Sequence, residues 1–272
     1  MMKLLIEKLN GDVIDLEQYG VFMTDFLPAS LEYEHAFSVI QGRAGNIDNG
    51  STYGPRTIKA RFYMKAPSVE TYAMARDRVY KLLNSIDPYY IIESRTPWKR
   101  RRVKLNAPFS MDQTRMYGFF EVEWVTVGIP FAESRLTSTE SKEWQDSGWS
   151  WGSGIQWGES MNVFDTTSFT VHNAGDVEVN PIYAMLDVEY VGASSNLYIV
   201  NNTNGSNSRY SLTSDSNDVI RFSGIRATKN GESIIADSNR RLIRLEPGDN
   251  NFTVTGTSGP FTLSFDFRYL YV

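Results

Sequence analysis

The sequence predicts a mainly β protein of two domains: an α+β first domain with one helix, and an all-β second domain built as a sandwich or jelly roll. Three observations lead there. Period-two alternation recurs along most of the 272 residues, a single stretch carries helical periodicity, and the composition shifts near residue 135. The length suits two cores better than one. With 15 Tyr, 15 Phe and 6 Trp, the aromatic content favours pleated, half-buried surfaces.

Residues 56–65 alternate cleanly, with Ile58, Ala60, Phe62 and Met64 on one face and Lys59, Arg61, Tyr63 and Lys65 on the other. The helix follows. Ser68, after Pro67, is the expected N-cap, and Tyr72, Ala75, Val79, Leu82 and Leu83 make its apolar stripe. Asp77 and Lys81 stand four apart in the favourable order for an ion pair. Asn84-Ser85 ends the helix and Asp87-Pro88 forbids its continuation. Further strands are expected at 89–93, 99–105 and 117–127. Between strands, 41–56 is rich in Gly and Asn and reads as a long exposed loop or an extending arm.

Domain boundaries follow from composition: 1–135, a connector at 136–160, and 161–272. The connector holds Trp144, Trp149, Trp151 and Trp157, too many rings for a plain flexible linker, so they are expected to dock between the domains. In the second half, strands are expected at 169–172, 182–191, 197–201, 219–222, 252–255 and 261–272. The last is the clearest, with Phe261, Leu263, Phe265, Phe267, Tyr269 and Tyr271 on one face.

Chemistry is sparse. Zero Cys excludes disulfides and thiolate metal sites and fits a reducing cytosol. The only two histidines, His35 and His172, lack metal-ligand spacing. Gly148-Trp149-Ser150-Trp151-Gly152 matches the nucleophile-elbow pattern in letters, but no apolar strand precedes it and no helix follows. Glu121/Glu123 and Asp187/Glu189 each share a strand face; a solvated outer face explains them without catalysis. We therefore expect no catalytic residue, no metal and no cofactor. A net charge of −5 argues against non-specific nucleic-acid or anionic-lipid binding. No apolar run reaches the roughly 20 residues of a membrane helix, and Leu4-Leu5-Ile6 is broken by Glu7, short of a signal-peptide core. The run Lys99-Arg100-Arg101-Arg102, with Lys104, is the sharpest charge feature. Alternation lets at most half of it form one patch, so a charged edge or an ion-pair partner in an oligomer is favoured over nucleic acid.

The order of parts from 53 to 134 resembles the N-terminal domain of the siphophage distal tail protein family. The basic-aromatic strand 61–65 comes first, then Leu82-Leu83 closing the helix and the Asp-Pro-Tyr-Tyr strand start at 87–90. The Pro-led basic strand 97–104 and the closing Pro-Phe-Ala-Glu-Ser at 130–134 complete the order. In the second half, 168–192 and the Pro-Gly-x-Asn turn before 252 are similar to that family's C-terminal sandwich, described as galectin-like. The resemblance implies a virion structural protein: a ring, usually hexameric, at the tail tip of phages of Gram-positive hosts, assembled in the host cytoplasm. Its implied partners are other copies of itself, the tail tube protein, and a tail-tip lysin or receptor-binding protein.

For such a ring the residues expected to meet a neighbour are Arg43, Asn46, Asp48, Tyr53 and Arg56 of the loop or arm, with Arg100 and Arg102 of the basic strand. The alternative is a carbohydrate-binding module recognising host-wall polysaccharide, with Trp149 and Trp151 as stacking rings. A wall-degrading hydrolase is a third reading, for which the sequence offers no site.

Overall fold

The computed structural model describes residues 2–140 and 162–272. The chain divides into two compact units, Met1–Ala132 and Glu133–Val272. The four tryptophans of the expected connector, Trp149 and Trp151 among them, lie outside the described residues.

In the first unit the strands are β1 (Leu4–Glu7), β2 (Val13–Asp15), β3 (Val21–Pro28), β4 (Tyr33–Ser38), β5 (Ile47–Tyr53), β6 (Thr57–Lys65), β7 (Tyr89–Glu93), β8 (Lys99–Leu105), β9 (Asp112–Thr114) and β10 (Tyr117–Thr126), with helix α1 (Tyr72–Leu82) after β6. Seven of them form one sheet in the order β2-β1-β7-β8-β10-β6-β3, antiparallel throughout, and β9 pairs with the start of β10. The alternation read in β6 is the observed one: Ile58, Ala60, Phe62 and Met64 are buried. They meet Phe120, Val122 and Trp124 from β10, with Phe62 stacked on Phe120 at 5.3 Å and edge-on to Trp124 at 6.2 Å.

Helix α1 closes this core through Tyr72, Val79 and Leu83, all buried. Its approach depends on Gly118, where an added Cβ would lie 2.4 Å from the Tyr72 hydroxyl. Two details differ from the sequence reading. Ser68 is not the N-cap: Thr71 holds that position without a side-chain cap bond. The Ser68 Oγ instead accepts from Thr71 N at 3.3 Å, a local turn one step ahead of the helix. Asp77 pairs with its neighbour Arg76 at 2.9 Å and not with Lys81.

The second unit begins within β11 (Ala132–Ser134) and contains β12 (Val163–Phe164), β13 (Ser168–Asn173), β14 (Leu186–Asn201), β15 (Asn207–Ser214), β16 (Val219–Ser223), β17 (Arg226–Lys229), β18 (Glu232–Ser233), β19 (Gly248–Phe267) and β20 (Leu270–Tyr271). Two long strands organise it. The first half of β14 pairs with β16 and with residues 261–267 of β19; its second half pairs with β15 and with residues 252–255. Both strands bend at irregular pairing around Gly192–Asn196 and 256–260, where Gly192 and Gly256 have φ of +153° and +82°. The two halves then face each other as layers of a sandwich. Phe252 and Phe169 of one meet Phe265 of the other at 4.8 and 5.8 Å.

The strands expected at 182–191 and 197–201 are thus one strand that starts at Leu186, after a turn in which Asn180 accepts from Ile182 N. Those expected at 252–255 and 261–272 are likewise joined as β19, which ends at Phe267 before Tyr269 and Tyr271 bury their rings. Fully buried Asn250 explains the Pro-Gly-x-Asn turn. Its amide oxygen accepts from Glu246 N and from Asn201 Nδ2, while its nitrogen donates to the carbonyls of Glu246 and Gly248. Of the expected connector, Ser138 is buried on β19, donating to Phe265 O at 2.9 Å and accepting from Phe267 N.

Candidate assembly interface

Residues 33–53 leave the first unit as an arm. Among the described residues, β4 and β5 pair only with each other, in a sheet of two strands, and nearly every residue of both is exposed. The stretch 41–56, read as a loop or an arm, is therefore the arm: its residues from Ile47 to Tyr53 are strand β5. The letters of β5 carry no core-against-solvent alternation because neither face of the strand is buried.

The arm's chemistry is one-sided. Tyr33 lies opposite Tyr53 in the register and His35 opposite Ser51, so Tyr33, His35 and Tyr53 share a face. The Tyr33 and His35 rings are parallel at 6.2 Å, Tyr33 and Tyr53 meet at 5.5 Å, and His35 and Phe37 at 5.7 Å. About half of each of Tyr33, Phe37 and Tyr53 remains open to solvent, and at the tip Val39 is 80% exposed. The root is fixed by the Tyr53 ring edge-on to Phe131 at 5.2 Å and by Gly54 N donating to Glu32 O. A two-stranded ribbon with no sheet behind it is marginal in water, and this one presents contiguous apolar surface of the kind that marks contact sites. Arg43, Asn46 and Asp48 are exposed near its tip, and Tyr53 at its base.

A second ring cluster lies on the outer face of the large sheet. Phe22 stacks on Tyr63 at 5.0 Å, and Tyr63 meets half-exposed Phe119 at 6.5 Å. Beside it, charges pair across strands: Arg61 with Glu121 at 2.9 Å and Lys59 with Glu123 at 3.0 Å. Asn106 and Lys59, in that order of effect, hold the Glu123 carboxyl below its usual range. Glu121 and Glu123 are thus partners of basic residues, as Asp187 is of Arg221 at 2.7 Å. His172 meets Asp249 at 2.6 Å, and His35 meets Ser51 at 2.7 Å on the exposed arm. Among the described residues, no group of three His, Cys, Asp or Glu can hold a metal, and no helix is long and apolar enough to cross a membrane.

The basic strand β8 alternates as expected, and the outcome differs residue by residue. Arg102 is exposed. Arg100 is buried against its own unit, its guanidinium 3.9 Å from the Tyr90 ring and paired with Glu7. Arg101 faces the core side opposite Ile91 and is 7% exposed. Arg56 is also buried; its backbone N donates to Thr126 Oγ1 and its Nε to Ala29 O at 2.6 Å. The structure therefore brings Arg43, Asn46, Asp48 and Tyr53 together on the arm, and leaves Arg56 at the arm's base in a buried setting.

Comparison with known proteins fits this layout. Residues 10–126 match the family model of the phage tail protein RIFT-related domain. None of the curated proteins matches the sequence. Among solved structures, the chain is similar to the SPP1 Dit protein, described as a paradigm of the hub adsorption apparatus in phages that infect Gram-positive bacteria. The TM-score is 0.72 at 13% identity, over 99% of this chain and 100% of that one. A chain of the phage p2 baseplate in its activated conformation aligns over 98% of each chain with a TM-score of 0.44 and 12% identity. The resemblance read from the sequence is borne out: residues 10–126 match the phage tail protein RIFT-related domain, and the fold of the whole chain is similar to that of SPP1 Dit.

Proposed function

We propose that this chain is a structural hub protein of a phage tail tip. Its first unit forms a ring, hexameric, that joins the tail tube to the adsorption apparatus. The observation that carries the reading is the full-length likeness to a Dit protein described as a hub. The aromatic arm supports it. A closed ring needs two different faces of one protomer to meet, and the Tyr33-His35-Phe37-Tyr53 face, about half open to solvent, serves as one of them. Arg43, Asn46 and Asp48 near its tip and Arg102 on β8 supply polar contacts at the rim of that interface. In this reading the protein works as a binding scaffold without catalysis, assembled in the host cytoplasm and resident in the virion. The tail tube protein sits on one side of it, with a tail-tip lysin or receptor-binding protein on the other.

Size-exclusion chromatography with light scattering, followed by negative-stain microscopy of the peak, tests the reading. A ring of about six subunits with a central channel is expected. A strict monomer at high concentration, with no ring when mixed with tail tube protein, counts against it.

One observation favours a second reading, recognition of host-wall polysaccharide by the second unit. Tyr198, Arg209, Asn196, Asn207, Asn239 and Arg241 line an open cleft. A half-buried ring offers a stacking face, and the amides and guanidinia around it offer hydrogen bonds to a polyol. Binding on a glycan array that is lost in Tyr198→Ala would support it, and an empty array would remove it.

A further inference from the structure

The interior of the first unit holds two guanidinium groups without adequate partners. Arg101 and Arg56 are 7% and 8% exposed. Arg101 Nε and Nη1 and Arg56 Nη1 are buried with no hydrogen-bond acceptor. Burial, and then the charge of Arg56, push the Arg101 pKa down to about 10. Nearby Glu93 offsets this only in part, since its carboxylate is taken by Arg95. Glu93 is thus shared between Arg95 and Arg101. The Phe26 ring lies 5.8 Å from the Arg101 guanidinium, and Arg56 Nε donates to the Ala29 carbonyl.

Such an arrangement is costly as it stands. A buried N–H without an acceptor loses its hydration and gains nothing, and two like charges removed from water repel across a low dielectric. Hydrophobic residues of the same volume would have served the core better. An oxyanion reverses the balance: it accepts from several N–H groups at once and neutralises the pair, which is how guanidinium forks bind carboxylate and phosphate.

We infer that Arg56 and Arg101 form a binding site for one oxyanion, a phosphate or a carboxylate, at the base of the β4–β5 arm. The site stands on the first unit's own residues and does not depend on the hub reading. The oxyanion is either a free ion or a side-chain carboxylate inserted from a second copy of the chain, which at net charge −5 has acidic groups to spare.

The test uses the full chain, Arg101→Met and Arg56→Met, with inorganic phosphate titrated against chloride at constant ionic strength. Thermal unfolding and light scattering are followed together. Methionine nearly fills the guanidinium's volume without its charge, so both variants are expected to fold in chloride at least as stably as wild type. If the anion is free, phosphate raises the wild-type midpoint along a saturating curve, and both variants lose the saturating part. If the anion is a neighbour's carboxylate, the wild type self-associates, phosphate competes the association away, and both variants stay monomeric. Kosmotropic exclusion alone gives a rise that does not saturate and is equal in all three proteins. That result, with association indifferent to phosphate and to both substitutions, overturns the site. Calorimetric titration of wild type with phosphate decides the first arm even if one variant fails to fold.

Discussion

Tyr89→Phe tests how the core of the first unit is tied together. Tyr89 is fully buried; its hydroxyl donates to Leu83 O at 3.2 Å and accepts from Trp124 Nε1 at 2.8 Å. It links the end of helix α1 to the last third of β10. The substitution keeps the ring and deletes both bonds, leaving the buried Trp124 N–H without an acceptor. One lost bond at about 1 kcal/mol and one stranded donor at about 1–3 kcal/mol give a destabilisation of roughly 2–4 kcal/mol. The same hydroxyl carries a pH signature. Burial raises its pKa from 10 to about 12, so above pH 10 the unfolded chain releases a proton that the folded one keeps. The stabilisation is whole below pH 10 and is lost as pH rises through 12, a fall of about 3 kcal/mol at roughly 1.4 kcal/mol per pH unit. Hydrogen-exchange mass spectrometry on peptides of β7 and β10 reads the opening free energy of this unit alone. Wild type and variant should differ by the stated amount at pH 8 and converge between pH 10 and 12. A difference under about 0.5 kcal/mol at pH 8, or one independent of pH, refutes the bonding scheme.

Replacing Tyr33 and Phe37 together by Ser, with Tyr53 and its contact to Phe131 kept, leaves the unfolding midpoint of the first unit nearly unchanged, because these half-exposed rings pack on other residues of the arm. The same variant loses self-association in light scattering, where each ring's remaining exposed area is worth about 1–2 kcal/mol on burial. Gly256→Ala lowers the second unit's midpoint sharply. Its φ is +82°, and the added Cβ would stand 2.5 Å from Asn196 O and 2.6 Å from Ser195 O, both backbone atoms. Gly248→Ala, at φ +85° with open space around it, costs only the conformational term of about 1 kcal/mol. Asp218 is held down to about 2 by Lys229, the Asp215 backbone and Asn230. Its contribution is present above its ordinary 3.8 and lost as pH falls through 2, so acid titration of Asp218→Asn shows a shallower decline between pH 4 and 2.

The parts legible in the sequence are those where one face is buried and the other is not. Strand β6 wrote its pairing in alternate letters because Lys59 and Arg61 find carboxylates on the outer face while Ile58 and Ala60 enter the core. Helix α1 was legible for the same reason at its own period. Its start was not, because Ser68 and Thr71 bond to each other as readily as to a helix end. Strand β15 escaped notice: Asn207 to Ser214 reads NSRYSLTS, with Tyr210 its one large buried ring, and its other buried positions are polar groups satisfied by backbone and side-chain partners. Strands β14 and β19 were each split in two by the same glycines that let them bend, since a bulge and a turn have one spelling.

The functional surface divides along similar lines. Neither face of the arm is buried, so its letters did not separate a core side from a solvent side, and its aromatic face emerged when the register placed Tyr33 against Tyr53. Arg101 is the opposite case. In the sequence it is one letter of a basic run, and alternation implied that half of the run turns inward without saying which half or toward what. Inward means beside Arg56, 45 positions away in the chain, and that proximity is a property of the sheet order β7-β8-β10-β6 and not of any motif. A buried like-charge pair is therefore invisible to composition and to spacing. It is also a feature that core packing by itself disfavours, which makes it better evidence for a ligand than any exposed basic stretch.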